Sequence, residues 1–459
     1  MDFNTFKQIV IAKAEALGLT EYELYYQSEE STSVSAFKHE INQFTSSREG
    51  GVCFRCIVNG KMGYASTQEL SETQAAAIVQ RAADNASVLE SDEPVFLGEG
   101  GKTYEALQID AYELPATETL IAKVLETQEK NYAANPAVID GCSAQGFAES
   151  SRIAIYNSKG LDLEYANNSC GLMAGSVVTD GKEMANSFDM KVGALDTIDN
   201  DALTKKAAES ALSKLGGEPA PTGSYPVVFS PDAMASLLST FSVIFSSERA
   251  QKGLSQLADK EGEIIAAETV TLVDDPFYKD NPMPINFDAE GMPTYKKNVI
   301  EAGVLKTLLY NLKTAAVANA KTESGCRTAA KETTGNASKA GYAAPVAIQP
   351  FTMYLQPGEV SEEELLQQVG SGVYINSLGG LHAGANPISG DFSLQSGGFM
   401  IENGVKTVPV KSFTVAGNFY QLLKNVTTVA SNLELPHAMG MTAYASPSVR
   451  VDGLSIAGK

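Results

Sequence analysis

The chain has 459 residues, 44% hydrophobic and 19% charged, the balance of a soluble globular protein with room for about two to four domains. A net charge of −21 excludes the Lys- and Arg-rich surface that binding a nucleic-acid backbone requires. Five cysteines, an odd and sparse set, fit a reducing cytoplasm better than a disulfide framework, and no run approaches the ~18 apolar residues of a membrane span.

The first residues carry an early Asp2 and no basic stretch ahead of an apolar run, so no signal peptide is expected there. Phe3, Phe6, Ile9, Val10 and Leu17 predict a helix with one apolar face, ended by Gly18. Tyr22, Leu24 and Tyr26 alternate as a strand, and a second extended run covers Val34–Phe37. Val52–Val58 and Lys61–Ala65 flank Asn59-Gly60 as a hairpin. Ser71 with Gln74 predicts a capped helix through Val88, and residues 91–115 an irregular connection. A helix over Thr117–Tyr132 is followed by strands Arg152–Tyr156, Leu161–Tyr165, Ser169–Val178 and Glu183–Met190, then a helix over Asn200–Leu215.

Gly216–Pro226 is rich in glycine and proline and stands between a finished helix and a new strand. It divides the chain into a mixed helix and antiparallel-strand domain, residues 1–216, and a β-rich domain, residues 217–459. The expected class is α+β with two domains. Strand Val227–Phe229 leads to Ser230-Pro231, an N-cap and N1 proline heading a helix over Pro231–Phe245. Asn298–Ile300 and Val304–Leu309 pair around Glu301–Gly303, and Ser361 with Glu364 caps a short helix between Met353–Leu355 and Val373–Asn376. From Leu378 to Val426 glycines punctuate four short strands: Phe392–Leu394, Phe399–Ile401, Val408–Val410 and Phe413–Val415. Asn403-Gly404 is the strongest hairpin signal of this stretch, since a type I′ turn needs positive φ at both central positions.

The chemistry-bearing residues are few. The histidines are His39, His382 and His437. His39-Glu40 starts like a zinc-peptidase motif, but Gln43 follows where a second ligand would stand and the segment is extended. His39 therefore counts as a surface residue on a strand. Cys53 and Cys56 have CxxC spacing, yet strand alternation puts their thiols on opposite faces, where they act as ordinary buried cysteines. A GxSxG nucleophile elbow, a P-loop and GxGxxG are all absent. What remains is His382, with Asn386, Ser389 and Asp391 on a Gly-rich loop. His382 and Asp391 could do acid–base work or orient a peptide. Equally, Asp391 and Ser389 could satisfy turn backbone while His382 packs, the commoner role of such residues.

His382–Ser393 (HAGANPISGDFS), then GFMIENG, PV, VAGN and a closing SIAG at Ser455–Gly458, resemble the C-terminal signature of the TldD/PmbA family, on its PmbA (TldE) side. The likeness covers essentially the whole chain. It implies a two-domain α/β protein that pairs with a TldD-type chain, or with itself, in a cytoplasmic metallopeptidase complex acting on unfolded or small peptides. In the TldD-type partner an HExxxH helix and a C-terminal cysteine hold zinc. The matching helix here, from Pro231, has no histidine, and Leu433–Val449 has no cysteine, so no zinc ligand carries over. The resemblance implies a zinc-free subunit with no cofactor of its own. The family's other description, modulator of DNA gyrase, gives the alternative of a regulatory binding protein.

Overall fold

In a computed structural model, residues 1–91, 93–107, 109, 113–323, 330–435 and 441–459 are described. The first half is one antiparallel sheet with helices on one face. Its elements are α1 (Phe3–Ala16), β1 (Tyr22–Phe37), β2 (Glu40–Val58), β3 (Lys61–Thr67), α2 (Glu72–Val88), α3 (Thr117–Ala133), β4 (Ser143–Asn157), β5 (Asp162–Thr179), β6 (Met184–Val192) and α4 (Asn200–Leu212). The strand order is β3-β2-β1-β4-β5-β6. On β1 the even residues face the helices: Tyr22, Leu24 and Tyr26 meet α1 and α2, and Val34 and Ala36 meet α3. The odd residue Tyr25 faces the other way, and with Ile153, Ile155 and Tyr165 it packs against Ile285, Phe287, Met292 and Phe351 of the second half.

The strands are longer than their apolar alternation predicts. Tyr22–Phe37 is one strand rather than two runs, and four expected strands between Arg152 and Met190 become β4, β5 and β6. The polar stretch Gln27–Ser33 stays extended because β2 and β4 pair it on both sides. Backbone pairing needs no apolar side chain, so periodicity does not mark it.

The second half contains β7 (Gly223–Phe229), α5 (Pro231–Phe241), α6 (Ser247–Gln251), β8 (Leu272–Asp274), β9 (Lys297–Glu301), β10 (Val304–Leu305), α7 (Leu312–Glu323), β11 (Ala337–Ser338), β12 (Ala347–Ile348) and β13 (Thr352–Leu355). It continues through α8 (Glu362–Val369), β14 (Gly372–Gly379), α9 (Leu381–Gly384), β15 (Asp391–Glu402), β16 (Val405–Asn418), α10 (Phe419–Lys424), β17 (Val426–Val429), β18 (Ala443–Ala445) and β19 (Val449–Ala457). One sheet runs β16-β15-β14-β7-β19-β17, and a further β16–β19 pairing curls it closed. A second runs β10-β9-β8-β13-β18. α5 touches strands of both sheets and is buried at Ala233, Met234, Leu237, Leu238 and Phe241, so it forms the centre of the largest core. Ser230 caps it by accepting the Ala233 N–H at 3.2 Å.

Three expectations are corrected here. The helix from Pro231 ends at Phe241, and Ser242–Phe245 tightens into a 3-10 turn, where the Ser242 hydroxyl donates to Ser239 O. The four short strands after Leu378 are two long ones, β15 and β16, joined at Asn403-Gly404 and kept continuous through bulges near Gly398. Leu381–Gly384 forms one helical turn. The α+β class stands, with antiparallel pairing predominant. Among the described residues no helix is long and apolar enough to cross a membrane.

Candidate functional site

A cleft of about 960 Å³ opens between the halves. One wall is Ser187–Gly193, seven consecutive positions of β6 and the residue after it, with Lys206, Ser210 and Lys214 beside them. Because β6 is the last strand of its sheet, its edge as well as its side chains faces the cleft. The opposite wall is the head of α5 (Ser230–Asp232), Asn376 of β14, Phe399 of β15 and Lys406 of β16, with Lys279–Pro282, Pro284 and Asn432–Leu435 between.

The walls carry charges of both signs, most of them engaged. Lys206 Nζ lies 3.3 Å from Asp189 Oδ1, while Asp189 Oδ2 is buried without a hydrogen-bond partner. Lys214 Nζ donates to Asn186 O at 2.8 Å and to Ser187 Oγ at 3.2 Å, and burial pushes its ammonium below the usual lysine value. Glu362 accepts from Lys406 Nζ (2.6 Å), Ser448 Oγ (2.5 Å), Tyr374 OH (3.0 Å) and Asn432 Nδ2 (3.2 Å). Burial alone would raise the Glu362 carboxyl, but the hydrogen bonds from Lys406 and Ser448 outweigh it and hold it low. No histidine or cysteine is among the described residues lining the cleft. A wall of strand edge with paired, mixed charges suits holding an extended chain more than attacking one.

The candidates from the sequence stand elsewhere. His382 is exposed on the single turn α9, and Asp391 is exposed at the start of β15; neither lines the cleft. Asp391 accepts from Asn418 Nδ2 at 2.9 Å, and hydrogen bonds from the Asn418 and Ser389 side chains hold its carboxyl low, while its backbone N–H donates to Ser389 Oγ. Asn386 Oδ1 accepts the Ile388 and Ser389 N–H groups, closing the loop. No hydrogen bond or ion pair between described residues joins His382 to Asp391. His39 sits in the β1–β2 turn at φ 65°, not on a strand; its ring stacks on Tyr132 at 4.5 Å and its N–H donates to Gln128 Oε1. Cys56 packs in the core under α1 and α2, whereas Cys53 faces Lys339 on the opposite side. Burial pushes both thiols up, which makes them poor nucleophiles. Cys326 and His437 lie outside the described residues.

The side of α5 that could present metal ligands offers Asp232, Ser236, Ser239 and Thr240. Ser236 donates to Asp232 O, Thr240 to Ser236 O, and Ser242 Oγ meets Tyr444 OH at 2.8 Å. The Ser236 and Thr240 hydroxyls are thus spent on the helix's own carbonyls, and that of Ser242, in the 3-10 turn after α5, on Ser239 O and Tyr444. Among the described residues no three His, Cys, Asp or Glu side chains gather as a metal requires, so the described residues of and around α5 do not fit a zinc ion.

Sequence reasoning missed the β6 edge, Lys214, Asp189 and Glu362. Only Glu362 had a local signal, as the first residue after the Ser361 cap, and that signal concerns a helix start.

Sequence models of the PmbA/TldA metallopeptidase family match three regions: domain 1 over residues 22–86, the central domain over 112–215 and the C-terminal domain over 222–458. The chain is 26% identical over 419 residues to a metalloprotease of Methanothermobacter thermautotrophicus, covering 90% of this chain and 88% of that one. It is 25% identical over 412 residues to the metalloprotease PmbA homolog of Haemophilus influenzae, covering 88% and 85%. Its fold matches a Thermotoga maritima protein described as a candidate modulator of a DNA gyrase, with TM-score 0.88, 29% identity and coverage of 99% and 100%. TldE from Thermococcus kodakarensis shares the fold at TM-score 0.86 and 23% identity, covering 98% of this chain and 99% of that one.

Proposed function

The chain belongs to the PmbA/TldD metallopeptidase family, and we propose from that premise that it is a PmbA (TldE)-type subunit without zinc of its own. In this reading a TldD-type chain supplies the metal and the cleft described above helps to hold an unfolded peptide. The carrying observation is α5, which has no imidazole or thiol and whose Ser236 and Thr240 hydroxyls are bound to the helix's own carbonyls. The β6 edge supports the peptide reading, because an added strand is held by backbone bonds and tolerates varied side chains. The complex is cytoplasmic, and without a TldD-type chain the protein pairs with itself. We treat residues 1–216 as one body and 217–459 as another, since β1 pairs with both β2 and β4 across the first two matched regions.

The test is to mix the purified chain with a TldD-type chain and an unfolded peptide. Cleavage is expected from the mixture only, and a chelator should abolish it. Chelator-sensitive turnover by this chain alone would overturn the assignment. The alternative, a gyrase-bound regulator, leans on the description of the Thermotoga relative. With a net charge of −21 such a protein would contact gyrase and not its DNA; co-sedimentation with gyrase in the absence of DNA would favour it.

A further inference from the structure

We infer that Lys214 guards the open edge of β6, its ammonium occupying the Asn186 carbonyl that a peptide strand pairing along the full edge would take. This rests on the peptide-holding reading of the cleft. β6 pairs only with β5 among the described residues. Gly193 N donates to Cys170 O at 2.9 Å, and the register pairs Gly171 with Val192. Gly193 and each second residue before it therefore bond toward β5, and Asn186, of the opposite parity, turns its carbonyl away from the sheet. Lys214 Nζ is 2.8 Å from that carbonyl.

The lysine is held in place from several directions. Its own N–H donates to Ala211 O at 3.1 Å, and its ammonium also reaches Ser187 Oγ. Two residues on, Gly216 N donates to Glu183, at the mouth of β6, and Glu183 is ion-paired to Lys411 of β16. The segment linking the halves thus pins Lys214 to the end of the strand. A lysine on an edge strand is a usual protection against unwanted strand addition. Lys214 lines the cleft, and the carbonyl it covers stands one residue before the wall begins at Ser187, so a peptide strand that pairs along β6 as far as Asn186 replaces an ammonium–carbonyl bond with its own N–H. That sets a threshold favouring chains with a fully available backbone over folded loops.

The experiment measures binding of a fluorescent, unstructured peptide to the full chain and to Lys214→Ala, Lys214→Met and Lys214→Arg. Each variant is first checked for an unchanged melting profile; the methionine variant keeps the packing of the stem should alanine prove unstable. The Ala and Met variants are expected to bind on the order of tenfold tighter, and Arg, which keeps a charged donor, like the parent. Equal or weaker binding by Ala and Met overturns the guard and leaves the cleft reading standing. Absence of binding in every form, parent included, removes the cleft reading and the guard with it.

Discussion

Arg55 is 4% exposed and lies 2.7 Å from Glu23, itself 1% exposed, on the sheet face that meets the second half. Asn157 donates to the other Glu23 oxygen. Replacing Arg55 by methionine strands a buried carboxylate, a change that costs about 3–5 kcal/mol; urea unfolding of Arg55→Met should show a loss of that order. Across the seam stand Asp288 and Glu290. Burial raises both carboxyls, and the Asp288 charge raises Glu290 further against the pull of Arg55. The sign follows: above about pH 4 the unfolded chain releases these protons while the folded chain keeps them, so stability falls as pH rises through the window up to the folded values. Glu290→Gln can still accept the Leu312 N–H that Glu290 now binds at 2.8 Å. It should flatten that decline and gain stability at the alkaline end, as read from melting temperatures across pH; a slope as steep as the parent's would mean Glu290 is not the source.

At the scale of elements, the closed sheet depends on one close approach. A Cβ on Gly398 of β15 would come within 1.8 Å of Tyr374 O on β14. Val373, Tyr374 and Ile375 pair with Met400, Phe399 and Gly398 here, and the register shifts beside Gly398. Gly398→Ala should therefore cost about 1–3 kcal/mol by forcing β14 and β15 apart. Gly341→Ala is the control, with nothing within 4 Å of its Cβ; it should be neutral or slightly stabilising. Equal urea midpoints for the two variants would contradict the argument. The Asn403-Gly404 turn joining β15 to β16 was legible in the sequence because φ of 52° and 76° is what that dipeptide supplies. The need for glycine at 398 was not, since it comes from a strand 24 residues away in sequence.

For the whole molecule, the absence of any fit for zinc on α5 leads to a direct expectation. Purified protein dialysed against a chelator should keep its melting temperature, and elemental analysis should find no stoichiometric zinc. About one tightly held zinc per chain would contradict the proposed subunit role. Assembly with a TldD-type chain, or with itself, should bury on the order of 2,000 Å² or more, the range of lasting interfaces. Sedimentation at micromolar concentration should then show a dimer. His382→Ala, at an exposed side chain, should leave that dimer intact.

The sequence alone determined what local chemistry dictates: the caps at Ser230 and Ser361, the Asn-Gly turns, the amphipathic first helix and the lack of imidazole on the helix from Pro231. Each depends on residues within a turn or two of one another, so its signal is written in adjacent letters. It also carried the family resemblance, a matter of order and spacing along the chain. Tertiary structure decided the rest. The polar middle of β1 became strand because two neighbours pair its backbone. Asp391 was drawn to Asn418, its partner across β15 and β16. The cleft joins residues 187–193, 230–232 and 432–435, and no local pattern announces a surface assembled from segments so far apart in the chain.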